Sequence, residues 1–261
     1  KRPRIMVANA DDAMSGRFLA LPVDAAIPFS LSQATPYHAD ERGGVFRFAD
    51  VDIKIVLPGL FSLRNALAAS VAARSLGVDI LAIQRGLENV LEIPGRAQEI
   101  KSGQPFTVVV DYAHTPASLT SIYDAYAKKR LVCVLGNTGG GRDLWKRPDM
   151  GRIADTRCAE VILTNEDPYD EDPLSIVEMM TRDMKRTPTI ILDRRAAIRE
   201  ALTRAGADDV VIISGKGTDP SIHGARGKDM QWSDATVVRE ELRALNFANH
   251  DEGLTFTKLR K

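Results

Sequence analysis

The chain has 261 residues, of which 44% are hydrophobic and 27% are charged, and this is enough for one large or two ordinary domains with buried cores. Thirty-five basic residues balance thirty-five acidic ones, so the charge pattern does not indicate an electrostatic nucleic-acid binder. No segment has the apolar length of a membrane span, and the first residues lack a signal-peptide core. These features predict a cytoplasmic protein that binds neither nucleic acid nor membrane.

The two cysteines, Cys133 and Cys158, show no metal-ligand spacing. Cys133 falls within an apolar segment that is typical of a buried strand. Since cytosolic proteins keep their thiols reduced, we expect Cys133 to be a reduced thiol in the core.

Residues 1–57 are predicted to form strands and turns. The segments IMVANADD and GRFLALP are typical of short strands, and GVFRFADVDIKIVL alternates like a β-hairpin that turns near Ala49–Asp50. No helix is expected before Phe61, so these strands are expected to belong to a larger sheet. Two helices follow, an alanine-rich one that ends at Gly77 and a second one over VDILAIQRGLENVLEI.

From Arg96 onward, apolar strands alternate with amphipathic helices. The predicted strands are QEIKSG, FTVVVD, RLVCVLG, AEVILTN, PTIILD and DVVIISG. The predicted helices cover residues 117–129, 147–157, 173–186, 194–205 and 233–245. This alternation predicts an α/β fold with a mostly parallel sheet covered on both faces. The break at Pro94–Gly95 divides the chain into domains 1–93 and 94–249, followed by a flexible tail at 250–261.

The first candidate site follows the strand that begins at Thr107. Asp111, His114 and Thr115 come at its carboxyl end, where open α/β sheets bind ligands. Thr115 and Pro116 also suit the N-cap and the first turn of the next helix. Because the same residue types are common in turns and caps, the motif alone leaves ligand binding and simple capping both open.

The second candidate site is the glycine-rich loop NTGGGRDLWKRP, in which Arg142, Lys146 and Arg147 supply positive charge. Glycines allow close backbone approach, and the fixed charge suits a carboxylate or a phosphate. The loop is not a Walker A loop, because the chain contains no Gly-x-x-x-x-Gly-Lys-Ser/Thr string. A flexible hinge with solvated basic residues is the alternative.

Two acidic loops complete the set. Glu166 and Asp167 follow one strand directly and are placed to bind an amine, whereas Asp172–Pro173 is expected to cap the next helix. Lys216 and Asp219 follow another strand, where each could contact a zwitterion. Together with the cationic loop, they predict an amino-acid pocket at one edge of the sheet.

Taken in order, the short motifs of this chain resemble those of the Mur ligases, ATP-dependent enzymes that build the peptide of bacterial cell-wall precursors. The motifs are NADD (Asn9–Asp12), Gly59 to Asn65, PGR (Pro94–Arg96), DYAHTP (Asp111–Pro116), GGGRD with KRP (Gly139–Pro148), EDP twice (Glu166–Pro173) and GKG (Gly215–Gly217). The resemblance covers essentially the whole chain. It is nearest to the group that adds the third residue of the peptide.

The resemblance implies a fold and a reaction. Residues 1–93 are then the end of a central ATPase-type domain, and the remainder is a Rossmann-like carboxyl-terminal domain. The family uses ATP and Mg²⁺ to form an acyl phosphate on UDP-N-acetylmuramoyl-dipeptide, after which the amine of a free amino acid attacks and phosphate leaves. Its phosphate loop and most of its magnesium ligands lie upstream of the matching region. We therefore expect no metal ligand in this chain, and no activity without the amino-terminal domains.

The resemblance also implies roles for individual residues. Asn65, Arg96 and Asp111 match residues that bind the nucleotide, and His114 and Thr115 match the motif at the reacting end. The residues that match the amino-acid pocket are Arg142, Glu166, Asp167, Tyr169, Gly215 and Asp219.

Two positions depart from the enzymes that add diaminopimelate. Those enzymes usually read Asp-Asn-Pro-Arg where this chain has Glu166 to Tyr169, so the arginine that pairs with the distal carboxylate of diaminopimelate is absent. Asp219 stands where that subgroup has glutamate. Lysine or a similar amino acid is therefore expected in place of diaminopimelate, with Glu166 and Asp167 near its terminal amine.

Two alternatives remain open at this point. One is another amide ligase of the same superfamily, acting on cyanophycin or folylpolyglutamate, and DYAHTP together with GGGRD and KRP argues against it. The other is a non-catalytic adaptor that keeps the nucleotide and amino-acid loops as a binding module. Acceptor preference distinguishes the first, and phosphate release distinguishes the second.

Overall fold

A computed structural model describes residues 3–247. The chain divides into two compact units, Lys1–Glu92 and Ile93–Lys261. Within the described range, no helix combines the length and apolar character that crossing a membrane requires. The predicted tail at 250–261 lies outside the described residues.

The first unit contains two small sheets and three α-helices within its described residues. Its elements are β1 (Ile5–Asn9), α1 (Ser15–Leu19), β2 (Ala25–Phe29), β3 (Tyr37–Asp40), β4 (Gly43–Phe48), β5 (Val51–Ile55), α2 (Gly59–Ser75) and α3 (Ile80–Glu88). Strands β1 and β2 pair in parallel, and β3, β4 and β5 form an antiparallel sheet in that order. Phe46, Ile53, Leu63 and Leu67 are fully buried in its core.

The predicted hairpin is confirmed, whereas the predicted strand GRFLALP is wrong. Ala49 and Asp50 link β4 to β5 with φ values of 48° and 62°. A two-residue hairpin turn of type I′ requires positive φ at both of its central residues. Residues Ser15–Leu19 form a helix, because β1 pairs in parallel with β2 and a parallel pair needs a crossover between its strands. The expectation of no helix before Phe61 is wrong for the same reason, and α2 already begins at Gly59.

The second unit is an α/β layer structure. Its elements are β6 (Gln98–Glu99), β7 (Thr107–Asp111), α4 (Pro116–Ala125), β8 (Leu131–Leu135), α5 (Lys146–Arg157), β9 (Glu160–Leu163), α6 (Pro173–Thr181), β10 (Thr189–Ile190), α7 (Arg194–Arg204), β11 (Val210–Ser214), β12 (Ser221–His223), β13 (Asp229–Gln231) and α8 (Asp234–Ala244). The six-stranded sheet has the order β10-β9-β8-β11-β7-β6, and only the short β6 is antiparallel to its neighbour. The predicted mostly parallel α/β sheet is therefore confirmed.

Burial explains why the strands of this sheet were recognisable. All residues of β8 and β11 are buried, as are the last four residues of β7, because helices cover both faces of a parallel sheet. The antiparallel pair β12 and β13 was not predicted, since these two strands have only three residues each and all residues of β13 are exposed. The hairpin matters because β12 brings His223 to the carboxyl edge of the sheet.

The expectation of a reduced thiol is wrong in this structure, since Cys133 and Cys158 form a disulfide. Their Cα atoms are 6.1 Å apart although 25 positions separate them in the chain. Helix α5 carries the chain back to the start of β8, where Ala159 N–H donates to Leu131 O at 2.9 Å. The end of α5 therefore places Cys158 beside Cys133. The spacing of the two cysteines in the sequence did not predict this contact.

Candidate functional site

A cavity of about 300 Å³ lies at the carboxyl edge of the six-stranded sheet. It is lined by the loops that follow β7, β8, β9 and β11, together with β12. Its volume is at the lower end of the range for small-molecule sites. All six residues that the resemblance assigns to the amino-acid pocket line it, namely Arg142, Glu166, Asp167, Tyr169, Gly215 and Asp219. The lining residues not assigned to that pocket beforehand are Tyr112, His114, Thr138, Asp143, Lys146 and His223.

A buried lysine joins two of these loops. Lys216 is 0% exposed, and its ammonium donates to both carboxylate oxygens of Asp167, at 2.7 and 2.8 Å, and to Asp219 Oδ2 at 2.8 Å. Backbone N–H of His223 also donates to Asp167 Oδ1, at 2.9 Å. These contacts tie the loops after β9 and β11 to strand β12.

The same contacts bear on the prediction that Asp167 receives the amine of a substrate. The ammonium of Lys216 already occupies that position on Asp167, and it also contacts Asp219. Burial alone raises the pKa of Asp219, but the hydrogen bonds from Lys216 and from Ser221 N–H outweigh it and hold that pKa below its usual value. The interaction was not foreseen because the two residues are 49 positions apart.

Glu166 is buried beside this group but makes different contacts. It is 2% exposed, its Oε1 accepts from Thr138 Oγ1 at 2.8 Å, and its Oε2 has no partner among the described residues. Burial raises its pKa, although the charge of Arg194 and the Thr138 hydrogen bond oppose that shift. A buried carboxyl group of this kind favours its protonated form more than a free glutamate does, so it is a poor counter-ion for a substrate amine.

Two glycines allow the loops to approach this closely. A Cβ at Gly215 would lie 2.2 Å from Glu166 Oε2, and Gly215 has a φ of +110°. A Cβ at Gly139 would lie 2.1 Å from Pro168 O. Side chains at either position would therefore displace the loop after β9.

The cations of the glycine-rich loop have separate environments. Arg147 is 0% exposed and donates to Glu171 Oε2 at 2.9 Å and to Thr138 O at 3.0 Å. Arg147 is therefore already paired within the protein, and the structure lends no support to the ligand-binding role expected for it. Arg142 is exposed and Lys146 is buried, and neither side chain has a hydrogen bond or ion pair within residues 3–247.

Tyr169 and His223 form one wall of the cavity. Their rings are stacked, with centroids 5.4 Å apart and planes inclined by 8°. Tyr169 N–H donates to His223 O at 3.0 Å, and His223 Nδ1 lies 3.0 Å from Asp229 Oδ1. The histidine was missed in the sequence because β12 was missed.

The DYAHTP motif is ordered by its own hydrogen bonds. Thr115 is the N-cap of α4 and Pro116 is in the first turn, as predicted, and Thr115 Oγ1 accepts from Ser118 N–H at 3.2 Å. His114 Nδ1 lies 2.8 Å from Tyr112 O. Because a carbonyl oxygen can only accept, Nδ1 carries the hydrogen, which leaves Nε2 of the neutral ring as the acceptor.

The residues predicted to bind nucleotide lie in different places. Asp111 is 7% exposed, and its two oxygens accept from Ala97 and Ala113 N–H, each at 2.7 Å. Burial raises its pKa, although these N–H donors lower it. Arg96 is exposed, with its guanidinium carbon 4.5 Å from the ring centroid of Tyr112. Asn65 is exposed on α2 of the first unit.

The cavity includes one group of potential metal ligands among the described residues, formed by Asp167, Asp219 and His223. Its ligand atoms lie within 4.8 Å of one another. Lys216 already places its positive charge between the two carboxylates, and that charge opposes cation binding there.

The strand order and the crossover helices define a Rossmann-like domain, and a polar cavity lies at the carboxyl edge of its sheet. Residues 95–217 match the family model described as "Mur ligase, glutamate ligase domain". Residues 95–217 are therefore a Mur ligase carboxyl-terminal domain.

Known relatives extend the similarity over most of the chain. The UDP-N-acetylmuramoyl-L-alanyl-D-glutamate–2,6-diaminopimelate ligase of Halalkalibacterium halodurans is 32% identical over 252 residues, which are 92% of this chain and 52% of that protein. A UDP-N-acetylmuramyl-tripeptide synthetase of a Roseiflexus species is 36% identical over 272 residues, covering 95% of this chain and 52% of the relative. A solved diaminopimelate ligase structure has a TM-score of 0.58 and 30% identity, covering 93% and 54% of the two chains. The chain spans about half the length of the curated relatives it matches.

Proposed function

We propose that this chain is the amino-acid-binding part of an ATP-dependent ligase that adds the third residue to UDP-N-acetylmuramoyl-dipeptide in the cytoplasm. The observation that supports it most directly is the cavity, which is lined by all six residues that the resemblance assigns to the amino-acid pocket, from three loops. The similarity to two curated third-residue-adding ligases supports the same reaction.

The proposed reaction has two steps. The dipeptide carboxylate takes the terminal phosphoryl group of ATP, which gives an acyl phosphate and ADP. The amine of the incoming amino acid then attacks the acyl carbon, an amide bond forms, and inorganic phosphate leaves. In this reaction the chain holds the amino acid by its carboxylate, and Arg142 is the exposed cation that suits this contact.

Within the second unit, the side chain of Arg96 is accessible for a nucleotide phosphate, whereas the carboxylate of Asp111 is not accessible for a ribose. The guanidinium of Arg96 is exposed over the Tyr112 ring, whereas both oxygens of Asp111 already accept main-chain hydrogen bonds. The roles of Asn65 and Asp111 in ATP binding stay predictions. When bound, Mg²⁺ neutralises charge on the transferred phosphoryl group, and its ligands are expected in the amino-terminal domains of the parent protein.

His114 is proposed to act at the reacting end of the substrates. Its Nε2 is free to accept a proton, because Nδ1 is held by Tyr112 O. Thr115 is proposed to position His114 through the cap of α4, so its role is indirect.

The expected preference for lysine has lost its structural support. It depended on Glu166 and Asp167 as partners of a terminal amine, but Asp167 is paired with Lys216 and burial raises the pKa of Glu166. The relatives reported above are named for diaminopimelate or for tripeptide synthesis. The proposed function therefore does not depend on which amino acid is added.

The test is amino-acid-dependent phosphate release from ATP, measured with the protein extended upstream through its phosphate loop. UDP-N-acetylmuramoyl-dipeptide is the acceptor, and lysine, diaminopimelate, glutamate and alanine are compared. Release with lysine or diaminopimelate supports the proposal. Release only with glutamate indicates another amide ligase of the superfamily, and no release from folded protein favours the adaptor.

A further inference from the structure

Arg194 is a buried arginine outside the cavity, and its side chain connects three parts of the second unit. It is 3% exposed and is the first residue of α7. Its Nε and Nη2 donate to the two carboxylate oxygens of Asp234, the first residue of α8, at 2.8 and 2.6 Å. Nη2 also donates to Ser214 O at 2.9 Å, and Nη1 donates to Asn165 O at 3.4 Å. An ion pair between α7 and α8 does not require these two main-chain contacts.

The two carbonyl groups lie directly before residues that line the cavity. Asn165 is followed by Glu166 and Asp167 in the loop after β9. Ser214 is followed by Gly215 in the loop after β11. Strands β9 and β11 do not pair with each other, because β8 lies between them in the sheet. The hydrogen bonds of the sheet therefore do not join these two loops, whereas the guanidinium contacts the first residues of both.

A second buried cation links the same loops through different groups. Lys216 contacts the side chains of Asp167 and Asp219 inside the cavity, whereas Arg194 does not line the cavity and contacts the main chain at the strand ends. The charge of Arg194 also reaches the cavity. Burial raises the pKa of Glu166, and the charge of Arg194 is the largest effect that opposes this rise.

We propose that Arg194 is a positioning residue, which fixes the distance between the loops after β9 and β11 so that both loops contact one bound amino acid. It acts through the main chain and does not itself contact the substrate. This inference rests on the proposed function, because the amino acid is the ligand that the two loops are proposed to bind. A misplacement of about 1 Å costs up to about 100-fold in rate, so the loss of these contacts should be measurable in the kinetics.

The test compares the same substitution at two neighbouring arginines of α7. Arg194→Lys keeps a positive charge beside Asp234 but loses the planar fork that reaches both carbonyl groups. Arg195→Lys is the matched control, because Arg195 pairs with Glu240 and Glu241 of α8 and makes no hydrogen bond to either loop within residues 3–247. Both variants alter the contact between α7 and α8, and only the first alters the contacts to the loops.

Hydrogen exchange of the main-chain amides, measured by mass spectrometry on the 261-residue chain, is the first readout. In Arg194→Lys we expect exchange in residues 165–171 and 215–219 to become about 10- to 100-fold faster, as for lost hydrogen bonds from a charged donor. Exchange in α7 and α8 should stay near that of Arg195→Lys. Unchanged exchange in the two loops would overturn the proposal. An equal increase throughout the second unit would also overturn it, since a purely structural arginine predicts that result.

The second readout is the kinetics of phosphate release in the protein extended upstream through its phosphate loop, with lysine and diaminopimelate tested separately. Arg194→Lys should raise the KM for the amino acid that supports release by about 10- to 100-fold relative to Arg195→Lys. The KM for ATP should be the same in both variants. Equal amino-acid KM values would contradict the positioning role. If the wild-type extended protein releases no phosphate, the proposed function fails, whereas hydrogen exchange in the present chain still decides the role of Arg194.

A double variant is used if Arg194→Lys does not fold. Arg194→Gln combined with Asp234→Asn removes both charges of the pair, so no buried charge is left uncompensated. Glutamine has a single side-chain nitrogen and does not bridge both carbonyl groups. We expect the same faster exchange in the two loops, and a folded double variant with wild-type exchange there would refute the proposal.

Discussion

Replacing Lys216 with methionine tests whether its buried ammonium holds the loops of the cavity together. Lys216 links Asp167, in the loop after β9, with Asp219, in the loop after β11. Asp167 in turn accepts from the N–H of His223 on β12. Methionine has a similar length and apolar character along its stem, so the substitution removes the charge and leaves most of the packing.

The expected cost is set by the carboxylates that remain. Removing one partner of a buried ion pair costs about 3–5 kcal/mol, because the other charge is left uncompensated. Asp167 is 6% exposed, whereas the side chain of Asp219 is 22% exposed and can regain some hydration. We therefore expect the free energy of unfolding of the second unit to fall by about 3–5 kcal/mol, mostly through Asp167.

The pH dependence of stability gives a second test of the role of Lys216. In the wild type, the pKa of Asp219 lies below its usual value, so Asp219 stabilises the folded state at pH values above its unfolded pKa near 3.8. This stabilisation is lost as the pH falls through the lower folded pKa. Without Lys216, the largest interaction that lowers this pKa is absent. The acid-induced loss of stability should therefore be smaller in Lys216→Met.

Urea denaturation followed by tryptophan fluorescence measures this change selectively. The only tryptophans, Trp145 and Trp232, both lie in the second unit. The control Lys128→Met changes an exposed lysine and should alter stability by less than about 0.5 kcal/mol. Adding Asp167→Asn to Lys216→Met should recover part of the loss, because it removes the uncompensated charge. A cost below about 1 kcal/mol, or no recovery in the double variant, would refute the reasoning.

Three further predictions concern residues in the cavity loops and a buried ion pair near them. Burial raises the pKa of Glu166, so the free energy of unfolding should fall as the pH rises from the unfolded pKa through the raised folded pKa. Glu166→Gln should remove this pH dependence in urea titrations from pH 4 to 8. An unchanged pH dependence would mean that another group causes it. Gly215→Ala should cost at least about 1–3 kcal/mol, because its φ is +110° and its Cβ would lie 2.2 Å from Glu166 Oε2. The control Gly206→Ala meets nothing closer than 3.5 Å, and an equal cost at both positions would contradict the argument. Arg194→Met should lower the free energy of unfolding by about 3–5 kcal/mol in the same assay, because it leaves the fully buried Asp234 without its ion-pair partner. A change as small as that of Lys128→Met would mean that the ion pair does not stabilise the fold.

Local sequence patterns were sufficient for most elements of the second unit. The apolar runs of β7, β8, β9 and β11 were found because strands covered on both faces are continuously hydrophobic. Asp172–Pro173 was recognised as a helix start, and Asp172 indeed accepts from Ser175 N–H at 3.0 Å. These features depend on residues within a few positions of one another, so the sequence displays them directly.

Short strands without a buried face were not recognisable. The pair β12 and β13 has three residues in each strand, and α1 has five residues with none of them buried. Neither pattern contains enough hydrophobic periods to distinguish helix, strand and turn. The helix α1 became explicable only once the parallel pairing of β1 with β2 was known.

The sequence by itself determined which loops contain the candidate site residues, since motif spacing and the strand-to-loop transitions identify them. Only the tertiary structure decided which charges in those loops are already paired. It assigns Asp167 and Asp219 to Lys216 and Arg147 to Glu171, and it leaves Arg142 and Lys146 without partners within the described residues. The reason is physical: ion pairing depends on distance and burial in three dimensions, and partners such as Lys216 and Asp167 are 49 residues apart in the chain.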